Sequence, residues 1–496
     1  MPFFLGLDTS TTATKAVLVD DAGRFVGEAA TAHAAPASPV PFGSEQDPAD
    51  WWRATRASIR DVLDETGVTG DDVAGVGLTG QMHGLVMLDE AGHVLRPALL
   101  WNDGRAYAEC DTIREAVGGL DRLVELTGND AFAGFTAPKL LWVRAHEPET
   151  FGKTARILLP KDYVRLCLTG EYAMDRAGGG GTLLLDLESR DWSGALLDAL
   201  DLDPSLLPPT FEGTAVTGQV SAEAAEATGL KAGTPVVGGG GDQAAQGVGV
   251  GAVEPGTWAV TVGTSGVVFA SSAEPRVAPG GKAHAFPHAV PGLWHVMGVM
   301  LAAGDSLAWH RDTVAPGVSF DDLTAEAADV PPGADGVAFL PYLSGERTPH
   351  ADVHARGGFL GLRRPHGRGH LTRAVLEGVA FGLKDNFGLL VEAGVPAPER
   401  VRLSGGAAKS PLWSQILADV LDASLEVPAV GEAAALGAAL LAGVGTGAWA
   451  SAEAATSAAV RITKTTEPRD AAAYDEAYAR FRRLYPALQG LWDPQA

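Results

Sequence analysis

The stretch LGLDTSTTATKAVLVD, residues 5–20, decides how the rest of the chain is interpreted. A short apolar run ends at Asp8, a cluster of serine and threonine residues follows, and Lys15 precedes a second apolar run. This pattern predicts a strand, a tight polar turn and a second strand. Glycines and hydroxyl-bearing residues at such turns direct backbone N–H groups at phosphate oxygens. We therefore expect the turn after Asp8 to bind phosphate.

A similar arrangement returns in the middle of the chain. The segment TPVVGGGGDQAAQG, residues 234–247, reads as a short strand, four glycines and then Asp242 at the start of a helical stretch. Shortly after it, WAVTVGTSGVVFASS, residues 258–272, repeats the strand, polar turn and strand. A lone aspartate after glycines is more often a helix N-cap than a base. Two polar turns, each with an aspartate, instead favour a phosphate clamp built from two half-domains with a metal ion between them.

Length and charge limit the classes of protein that this chain can belong to. A chain of 496 residues exceeds one ordinary hydrophobic core, so two large domains are expected. Hydrophobic residues make up 46% and charged residues 20%, which is typical of a soluble globular protein. The net charge of −24 argues against nucleic acid and anionic membrane as partners. A phosphate site must then obtain its positive potential locally, from Mg²⁺, backbone amides and a few lysines or arginines.

Three further features favour a cytoplasmic protein without a membrane span. Residues 1–7 are short and run directly into the first strand, so no signal peptide is expected. Cys110 and Cys167 provide neither a disulfide framework nor a zinc spacing, and we expect both to be reduced. Residues 433–451 are uncharged and approach spanning length, but they are rich in alanine and glycine and lack flanking lysine or arginine. A buried, closely packed helix is the better interpretation.

Strand-like and helical patterns alternate along the chain, which predicts an α/β architecture. Helices are predicted at residues 371–394 and 432–443. Residues 470–491 are expected to form one amphipathic closing helix. The run AGGGGT, residues 177–182, is expected to be a flexible segment.

Two glycine motifs have more than one interpretation. Gly75, Gly77 and Gly80 match the dinucleotide-binding fingerprint literally, but the residues after them predict a turn and a hairpin where that fingerprint needs a helix. A turn at the end of a strand is the better interpretation. The sequence GGAAKS, residues 405–410, follows a strand and precedes a helix, with the wrong spacing for a P-loop. Such a turn can admit a nucleotide or merely pack the helix tightly, and both interpretations stay open.

Taken together, ten short segments resemble the FGGY carbohydrate kinases of the actin–hexokinase superfamily, and within that family most nearly the xylulokinases. They occur in the family's order over nearly the whole chain: LGLDTSTTATKAVLVD, GLTGQMHG, LLWNDGRA, TGNDAFAGFTAPKLLWV, GGGGDQAA, VTVGTSG, FLPYLSGERTPH, LEGVAFGLKD, LSGGAAKSPLW and GEAAALGAAL. Each segment is modestly specific by itself, and ten in order at compatible spacing are very specific.

The resemblance implies two α/β domains related by internal duplication. Each would have a ribonuclease-H-like core, with a catalytic cleft between the two. The N-terminal domain, residues 1–237, would bind the sugar, and the C-terminal domain, residues 238–496, would bind ATP. The resemblance also implies Mg²⁺, small-molecule partners only, and it allows a homodimer.

The same resemblance carries roles onto particular residues. Asp242 falls at the position of the general base, and Asp8 would help to hold Mg²⁺ together with Asp242. The implied sugar-binding residues are Met82, His83, Trp101, Asp103, Asp242 and Gln243. The implied ATP-binding residues are Thr11, Thr12, Gly263, Thr264, Ser265, Gly405, Gly406 and Lys409.

The implied reaction is the ATP-dependent phosphorylation of D-xylulose to D-xylulose 5-phosphate in pentose catabolism. Gln243 departs from the pattern, because some xylulokinases carry asparagine there and glycerol kinases carry glutamine. Glycerol kinases, however, have Arg-Glu where this chain has Met82-His83. The alternative is a kinase of this family for ribulose, gluconate or glycerol. Two other classes are an actin-type assembly protein, which would lack the sugar-side motifs, and a dehydrogenase, which would need a helix after Gly80.

Overall fold

The structure, a computed structural model, describes residues 1–398 and 400–492. Position 399 and residues 493–496, and with them the predicted end of the second domain, lie outside the described residues. Two seven-stranded sheets dominate the molecule, with helices packed around them. The predicted α/β class is confirmed.

The first half of the chain contains the first of these sheets, together with shorter strands that lie outside it. Its strands are β1 (Phe3–Thr9), β2 (Ala13–Asp20), β3 (Phe25–Ala32), β4 (Glu45–Gln46), β5 (Val73–Gly80), β6 (Val86–Leu88), β7 (Ala98–Leu99), β8 (Arg156–Leu158), β9 (Met174–Asp175), β10 (Leu185–Asp186), β11 (Asp191–Trp192), β12 (Thr210–Phe211), β13 (Val216–Gln219), β14 (Pro235–Val237) and β15 (Gly240–Gly241). Its helices are α1 (Pro48–Thr66), α2 (Tyr107–Val117), α3 (Leu120–Thr127), α4 (Thr136–His146), α5 (Pro148–Lys153), α6 (Pro160–Thr169), α7 (Arg176–Gly180), α8 (Gly194–Leu200), α9 (Ala222–Thr228) and α10 (Asp242–Gly249). The sheet has the strand order β13-β14-β5-β1-β2-β3, and β15 also pairs with β5.

The second half contains the other sheet, together with two short strands that lie outside it. Its strands are β16 (Trp258–Val262), β17 (Gly266–Ser272), β18 (His284–Pro287), β19 (Trp294–Met300), β20 (Ala338–Leu340), β21 (Gly358–Leu360), β22 (Arg400–Gly405), β23 (Ser424–Pro428) and β24 (Ile462–Thr466). Its helices are α11 (Gly304–Val314), α12 (Phe320–Ala328), α13 (Arg368–Glu392), α14 (Pro411–Leu421), α15 (Ala433–Gly445), α16 (Ala452–Ala459), α17 (Asp475–Phe481) and α18 (Leu484–Leu488). The order of this sheet is β18-β19-β17-β16-β22-β23-β24.

The two sheets repeat one topology. In the first, β1 pairs antiparallel with β2 and parallel with β5; in the second, β16 pairs antiparallel with β17 and parallel with β22. Asp8 is the second-last residue of β1 and lies opposite Thr79 of β5. The matching residue of β16 is Thr261, opposite Ser404 of β22. The duplication therefore extends to strand register, but only the first copy carries an acid at this position.

Gly75, Gly77 and Gly80 all lie within β5, and the chain bends only after this strand has ended. β5 ends at Gly80, and the next element is the short strand β6, which begins at Val86. No helix follows the glycines, so the structure lacks the feature that the dehydrogenase interpretation needs.

The alanine-rich helix α15 lies between the two halves of the chain. It packs on β1 and β5 of the first sheet and against α10. A Cβ atom on Gly6 would lie 1.8 Å from the carbonyl oxygen of Ala435, and one on Gly77 would lie 1.9 Å from that of Ala438. The absence of side chains at these two positions therefore lets the helix backbone rest directly on the sheet. The predicted close packing is confirmed, and none of the helices in the described part of the chain is long and apolar enough to cross a membrane.

The glycine run at residues 177–182 does not form the flexible segment that we expected. Most of it belongs to the buried helix α7, whose N-cap Asp175 accepts a hydrogen bond from the backbone N–H of Gly178 at 2.7 Å. Glycine fits these positions because other segments of the chain approach closely. A Cβ atom on Gly180 would lie 3.0 Å from the ring of Phe286.

The prediction of one closing helix over residues 470–491 is wrong. The segment is divided into α17, which ends at Phe481, α18, which begins at Leu484, and flanking single turns. Pro486 has no N–H to donate to the preceding turn and its ring clashes there, so a continuous helix is interrupted just before it.

Candidate active site

The structure brings the two predicted carboxylates, Asp8 and Asp242, into one site. Asp8 is only 6% exposed, and its Oδ1 atom has no hydrogen-bond partner among the described residues. Burial and the negative charge of Asp242 raise the pKa of Asp8 to about 7. Burial also raises the pKa of Asp242 to about 6, although the backbone N–H of Gln243 donates to its Oδ1 at 2.7 Å. The site therefore holds two carboxylates that ionise less readily than ordinary ones.

An ion pair between the two halves of the chain adjoins these carboxylates. Lys15 Nζ lies 2.6 Å from Oε2 of Glu432, the residue just before α15, and both side chains are about one third exposed. The charge of Lys15 lowers the pKa of Asp8, whereas that of Glu432 raises it. We had assigned no role to either residue. Lys15 could have been found as the only charged residue between Asp8 and Asp20, whereas Glu432 is remote in sequence.

The donor set fits a magnesium ion held jointly with a nucleotide. Oxygen ligands are those that Mg²⁺ prefers, and proteins commonly supply one or two carboxylates while phosphates and water complete the shell. The unpartnered Oδ1 of Asp8 is available for that purpose. In the described ranges, no group of three or more histidine, cysteine, aspartate or glutamate side chains could hold a metal ion by itself.

The first polar turn is braced by Trp101 and Gln46. It is closed by a hydrogen bond from the N–H of Ser10 to the carbonyl oxygen of Ala13, at 3.0 Å. Thr11 Oγ1 accepts a hydrogen bond from Trp101 Nε1 at 3.0 Å, and its carbonyl oxygen accepts one from Gln46 at 2.9 Å. Thr12 is exposed at the tip. Thr11 and Trp101, predicted for different ligands, thus contact each other.

His83 is held in one orientation as a hydrogen-bond acceptor. Its Nδ1 lies 2.6 Å from the carbonyl oxygen of Gly181, so that nitrogen carries the proton and Nε2 is free to accept. Burial lowers the pKa of His83 to about 3, which keeps the ring neutral. Phe135 stacks on the ring with centroids 4.4 Å apart. The backbone of His83 has φ of 68°, a conformation that non-glycine residues adopt rarely and mostly at functional sites.

Met82 packs beside the predicted base. It is 4% exposed, and a Cβ atom on Gly241, the residue before Asp242, would lie 2.7 Å from Met82 Cγ. The Met82-His83 pair therefore stands next to the start of α10, where Gln243 also lies partly buried.

Asp103 is fully buried and serves the loop that carries Trp101. Its Oδ2 accepts a hydrogen bond from the N–H of Ser44 at 2.7 Å, and its Oδ1 accepts from Arg105 Nε at 2.9 Å. Both oxygens of the carboxylate are thus engaged within the protein. Direct binding of sugar by Asp103 stays a prediction.

Lys139 is a residue of this region that we did not identify from the sequence. Its side chain is fully buried, and Nζ donates to the carbonyl oxygens of Leu100 at 2.7 Å and Gly134 at 2.8 Å. A Cβ atom on Gly134 would lie 2.1 Å from the carbonyl oxygen of Trp101. Lys139 therefore joins the loop that carries Trp101 to the loop that carries Gly134. A lysine within the apolar run TAPKLLWV was the available signal.

The predicted nucleotide residues of the second half meet around one cavity of about 470 Å³. Gly263 and Thr264 from the second polar turn and Gly406 and Lys409 from the GGAAKS segment all line it. The other lining residues were not predicted, and they include Gly304, Asp305, Leu307, Ala308, Phe320 and Trp413. A cavity of this size is suited to a nucleoside.

The remaining two predicted residues, Ser265 and Gly405, contact residues that line this cavity. The carbonyl oxygen of Ser265 accepts a hydrogen bond from the N–H of Gly263 at 3.0 Å, which closes the turn. Gly405 has φ of 83°, and a Cβ atom on it would lie 2.4 Å from the carbonyl oxygen of Val262. Gly405 therefore packs tightly and Gly406 faces the cavity, and nucleotide binding by the GGAAKS segment stays a prediction.

Comparisons with known proteins agree with this arrangement. The N-terminal domain of the FGGY family of carbohydrate kinases matches residues 3–249, and the C-terminal domain of that family matches residues 258–446. This chain belongs to the FGGY family of carbohydrate kinases. It is accordingly a sugar kinase, an enzyme that transfers a phosphoryl group from ATP to a sugar.

Individual relatives extend over the whole chain. Xylulose kinase of Escherichia coli strain K12 is 42% identical over 488 residues, which covers 98% of this chain and 99% of the relative. The crystal structure of xylulose kinase from Rhodospirillum rubrum superposes with a TM-score of 0.92 at 35% identity, covering 99% of both chains. That of gluconate kinase from Lactobacillus acidophilus superposes with a TM-score of 0.94 at 26% identity, covering 100% of both chains. The predicted two-domain actin/hexokinase-like fold is confirmed.

Proposed function

We propose that this sugar kinase phosphorylates the 5-hydroxyl of D-xylulose with ATP and so produces D-xylulose 5-phosphate for pentose catabolism. The observation that carries the proposal is the position of Met82 and His83 beside Asp242, with His83 oriented as an acceptor. Relatives named xylulose kinase, up to 43% identical, support it.

Asp242 is the general base in this proposal. A sugar hydroxyl is a poor nucleophile, and a carboxylate beside it can accept its proton as the oxygen attacks. A bond forms between that oxygen and the γ-phosphorus, the bond from the γ-phosphorus to the bridging oxygen breaks, and ADP leaves. The raised pKa of Asp242, about 6, makes it a stronger base than an ordinary aspartate while it stays largely ionised at neutral pH.

Charge stabilisation would contribute most of the rate enhancement. Asp8 and Asp242 would hold Mg²⁺, which supplies positive charge to the β- and γ-phosphates when it is bound. Lys15 would add a second cation next to Asp8. The turns at Thr11–Thr12 and at residues 263–265 would donate backbone hydrogen bonds to phosphate oxygens.

The division of labour between the halves stays as predicted from the sequence. Residues 1–237 would bind the sugar, and residues 238–496 would bind ATP. Closure of the cleft would exclude water and so limit hydrolysis of ATP in the absence of sugar. A cytoplasmic location and a homodimer also stay predictions; light scattering of the purified protein tests the latter.

A different substrate of the same family is the alternative. The TM-score for the gluconate kinase structure, 0.94, is at least as high as the 0.92 for the xylulose kinase structure described above. Gln243, next to the base, is the position at which the sugar-side pattern departs from some xylulokinases. Ribulose, gluconate and glycerol are therefore the substrates to compare.

An ADP-release assay across ketopentoses, polyols, gluconate and hexoses tests the proposal. D-xylulose is expected to give the highest kcat/KM. A clear preference for glycerol, gluconate or L-ribulose would overturn the substrate assignment and leave the sugar-kinase activity intact.

A further inference from the structure

One arginine of the second half reaches the sugar side of the cleft. Arg347 lies in the loop that follows β20, and both of its neighbours are tied to β19 or the residue after it. Glu346 Oε1 accepts hydrogen bonds from the N–H groups of Leu301 at 3.0 Å and of Arg347 at 2.7 Å. The N–H of Thr348 donates to the carbonyl oxygen of Val299 at 3.0 Å. The backbone of Arg347 is therefore firmly positioned.

The guanidinium of Arg347 stands over an aromatic wall that leads to His83. Its Cζ atom lies 5.9 Å from the ring centroid of Phe132, a residue of the first half. Phe132 packs edge-on against Phe135 with centroids 5.6 Å apart, and Phe135 stacks on His83. The positive charge of Arg347 lowers the pKa of His83 and of His284. Arg347 is thus part of the environment of the sugar-side histidine.

The N–H donors of the Arg347 guanidinium are available to a ligand. It makes no hydrogen bond and no ion pair within 4 Å to any other residue that the structure describes, and Glu346 is committed to backbone N–H groups instead. Burial lowers the pKa of Arg347, which reflects the cost of holding the charge there. Arg347 is half-buried, and its guanidinium nitrogens are not among the fully buried unpartnered atoms of the described residues, so they remain accessible and can donate to a ligand that supplies acceptor oxygens.

His83 and Arg347 offer complementary chemistry to a sugar. His83 presents only an acceptor, so it pairs with a hydroxyl that donates. A guanidinium only donates, so it pairs with an oxygen that accepts. The carbonyl oxygen of an open-chain ketose has two lone pairs and no proton, whereas the hydroxyl that replaces it in a polyol brings a proton that a guanidinium cannot accept.

We propose that Arg347 binds the carbonyl end of an open-chain ketose and thereby selects ketoses over the corresponding polyols. The inference rests on the proposed function, because it assumes a ketose substrate whose far hydroxyl lies at Asp242. It assigns a direct contact with the sugar to the loop that follows β20.

Titration calorimetry without ATP separates binding from turnover, with D-xylulose and its polyol xylitol as ligands. Loss of a charge-assisted hydrogen bond corresponds to about tenfold to hundredfold weaker binding. Arg347→Met is expected to weaken D-xylulose binding by that factor and xylitol binding by less than about threefold. Arg347→Lys keeps the charge without the planar fork and should lie between wild type and Arg347→Met. Arg364→Met, which removes an exposed arginine near β21, is the matched control and should change neither ligand.

Each alternative outcome is decisive. Equal losses for D-xylulose and xylitol, or no loss for D-xylulose, would overturn the inference while the proposed function stands, provided that wild type phosphorylates the ketose. A wild-type protein without activity on any ketose would refute the proposed function, and the inference with it. If thermal unfolding shows that Arg347→Met does not fold, Arg347→Lys provides the same comparison between the two ligands.

Discussion

Burial, together with the charge of Asp242 at the start of α10, raises the pKa of Asp8 in β1. The two carboxylates come from the end of a strand and the start of a helix, and both are desolvated. Ionising both carboxylates costs free energy, because each is desolvated and the two negative charges repel each other. A cation bound between them offsets this cost. The same desolvation that makes Asp242 a better base therefore also prepares the site for a metal ion.

The first prediction concerns Asp242 as the base. Asp242→Asn keeps the shape of the side chain and removes the proton acceptor, so kcat should fall by about 10²–10⁴ with little change in ATP binding. Steady-state kinetics and equilibrium titration of ATP measure the two effects. Asp475→Asn changes another acid at the first position of a helix, α17, and should leave kcat unaltered. Retention of most activity in Asp242→Asn would mean that Asp242 only caps its helix.

The second prediction concerns the pH dependence of stability at Asp8. The folded-state pKa of Asp8, about 7, is above its ordinary value of 3.8. The stabilisation by the protonated form is therefore complete below about pH 4 and is lost as the pH rises through about 7. In EDTA, Asp8→Asn should gain in Tm relative to wild type between pH 5 and pH 8.

Magnesium distinguishes this origin from a general effect of the substitution. At pH 8, adding Mg²⁺ with a non-hydrolysable ATP analogue should raise the Tm of wild type more than that of Asp8→Asn. The mutant should also need more Mg²⁺ for activity. A Tm difference that is constant across pH, together with an unchanged Mg²⁺ requirement, would remove Asp8 from the metal role.

The third prediction concerns sugar recognition by His83. Truncation leaves a sugar hydroxyl without its acceptor, which typically costs about 1–3 kcal/mol. His83→Ala should therefore lower kcat/KM for D-xylulose by about one to two powers of ten, with little change in apparent ATP affinity. His93→Ala, which truncates a histidine that is 80% exposed in the same half, serves as control. If the ATP parameters move and those for the sugar do not, the sugar site is not in the first half.

The fourth prediction uses two adjacent glycines with different roles. Gly405→Ala should lower the Tm, because φ is 83° and the added Cβ would lie 2.4 Å from the carbonyl oxygen of Val262. Gly406→Ala should fold normally, since the nearest atom to its Cβ is 3.6 Å away, and should raise KM for ATP because Gly406 lines the cavity. Thermal unfolding of both variants measures the change in Tm, and steady-state kinetics with varied ATP measure the change in KM. An unchanged KM in Gly406→Ala would indicate that the nucleotide binds elsewhere.

The sequence alone determined the features that depend on near neighbours. Turns with glycine and hydroxyl residues are local, so the strands on either side of Ser10 and of Thr264 could be predicted, as could the helix that begins at Asp242. The close packing of α15 could also be predicted, because a long uncharged alanine and glycine run has few other stable environments. The order of the motifs was enough to predict the fold and the kinase activity.

Only the tertiary structure decided which side chains meet. Three contacts join segments that local pattern does not connect: the ion pair of Lys15 with Glu432, the placement of Arg347 over Phe132, and the hydrogen bond from Ser44 to Asp103. The same holds for the glycines of α7, around which neighbouring segments of the chain leave little room for side chains. Local propensity is a short-range energy, whereas pKa shifts, unpaired donors and close backbone contacts arise from burial, which depends on the packing of the whole chain.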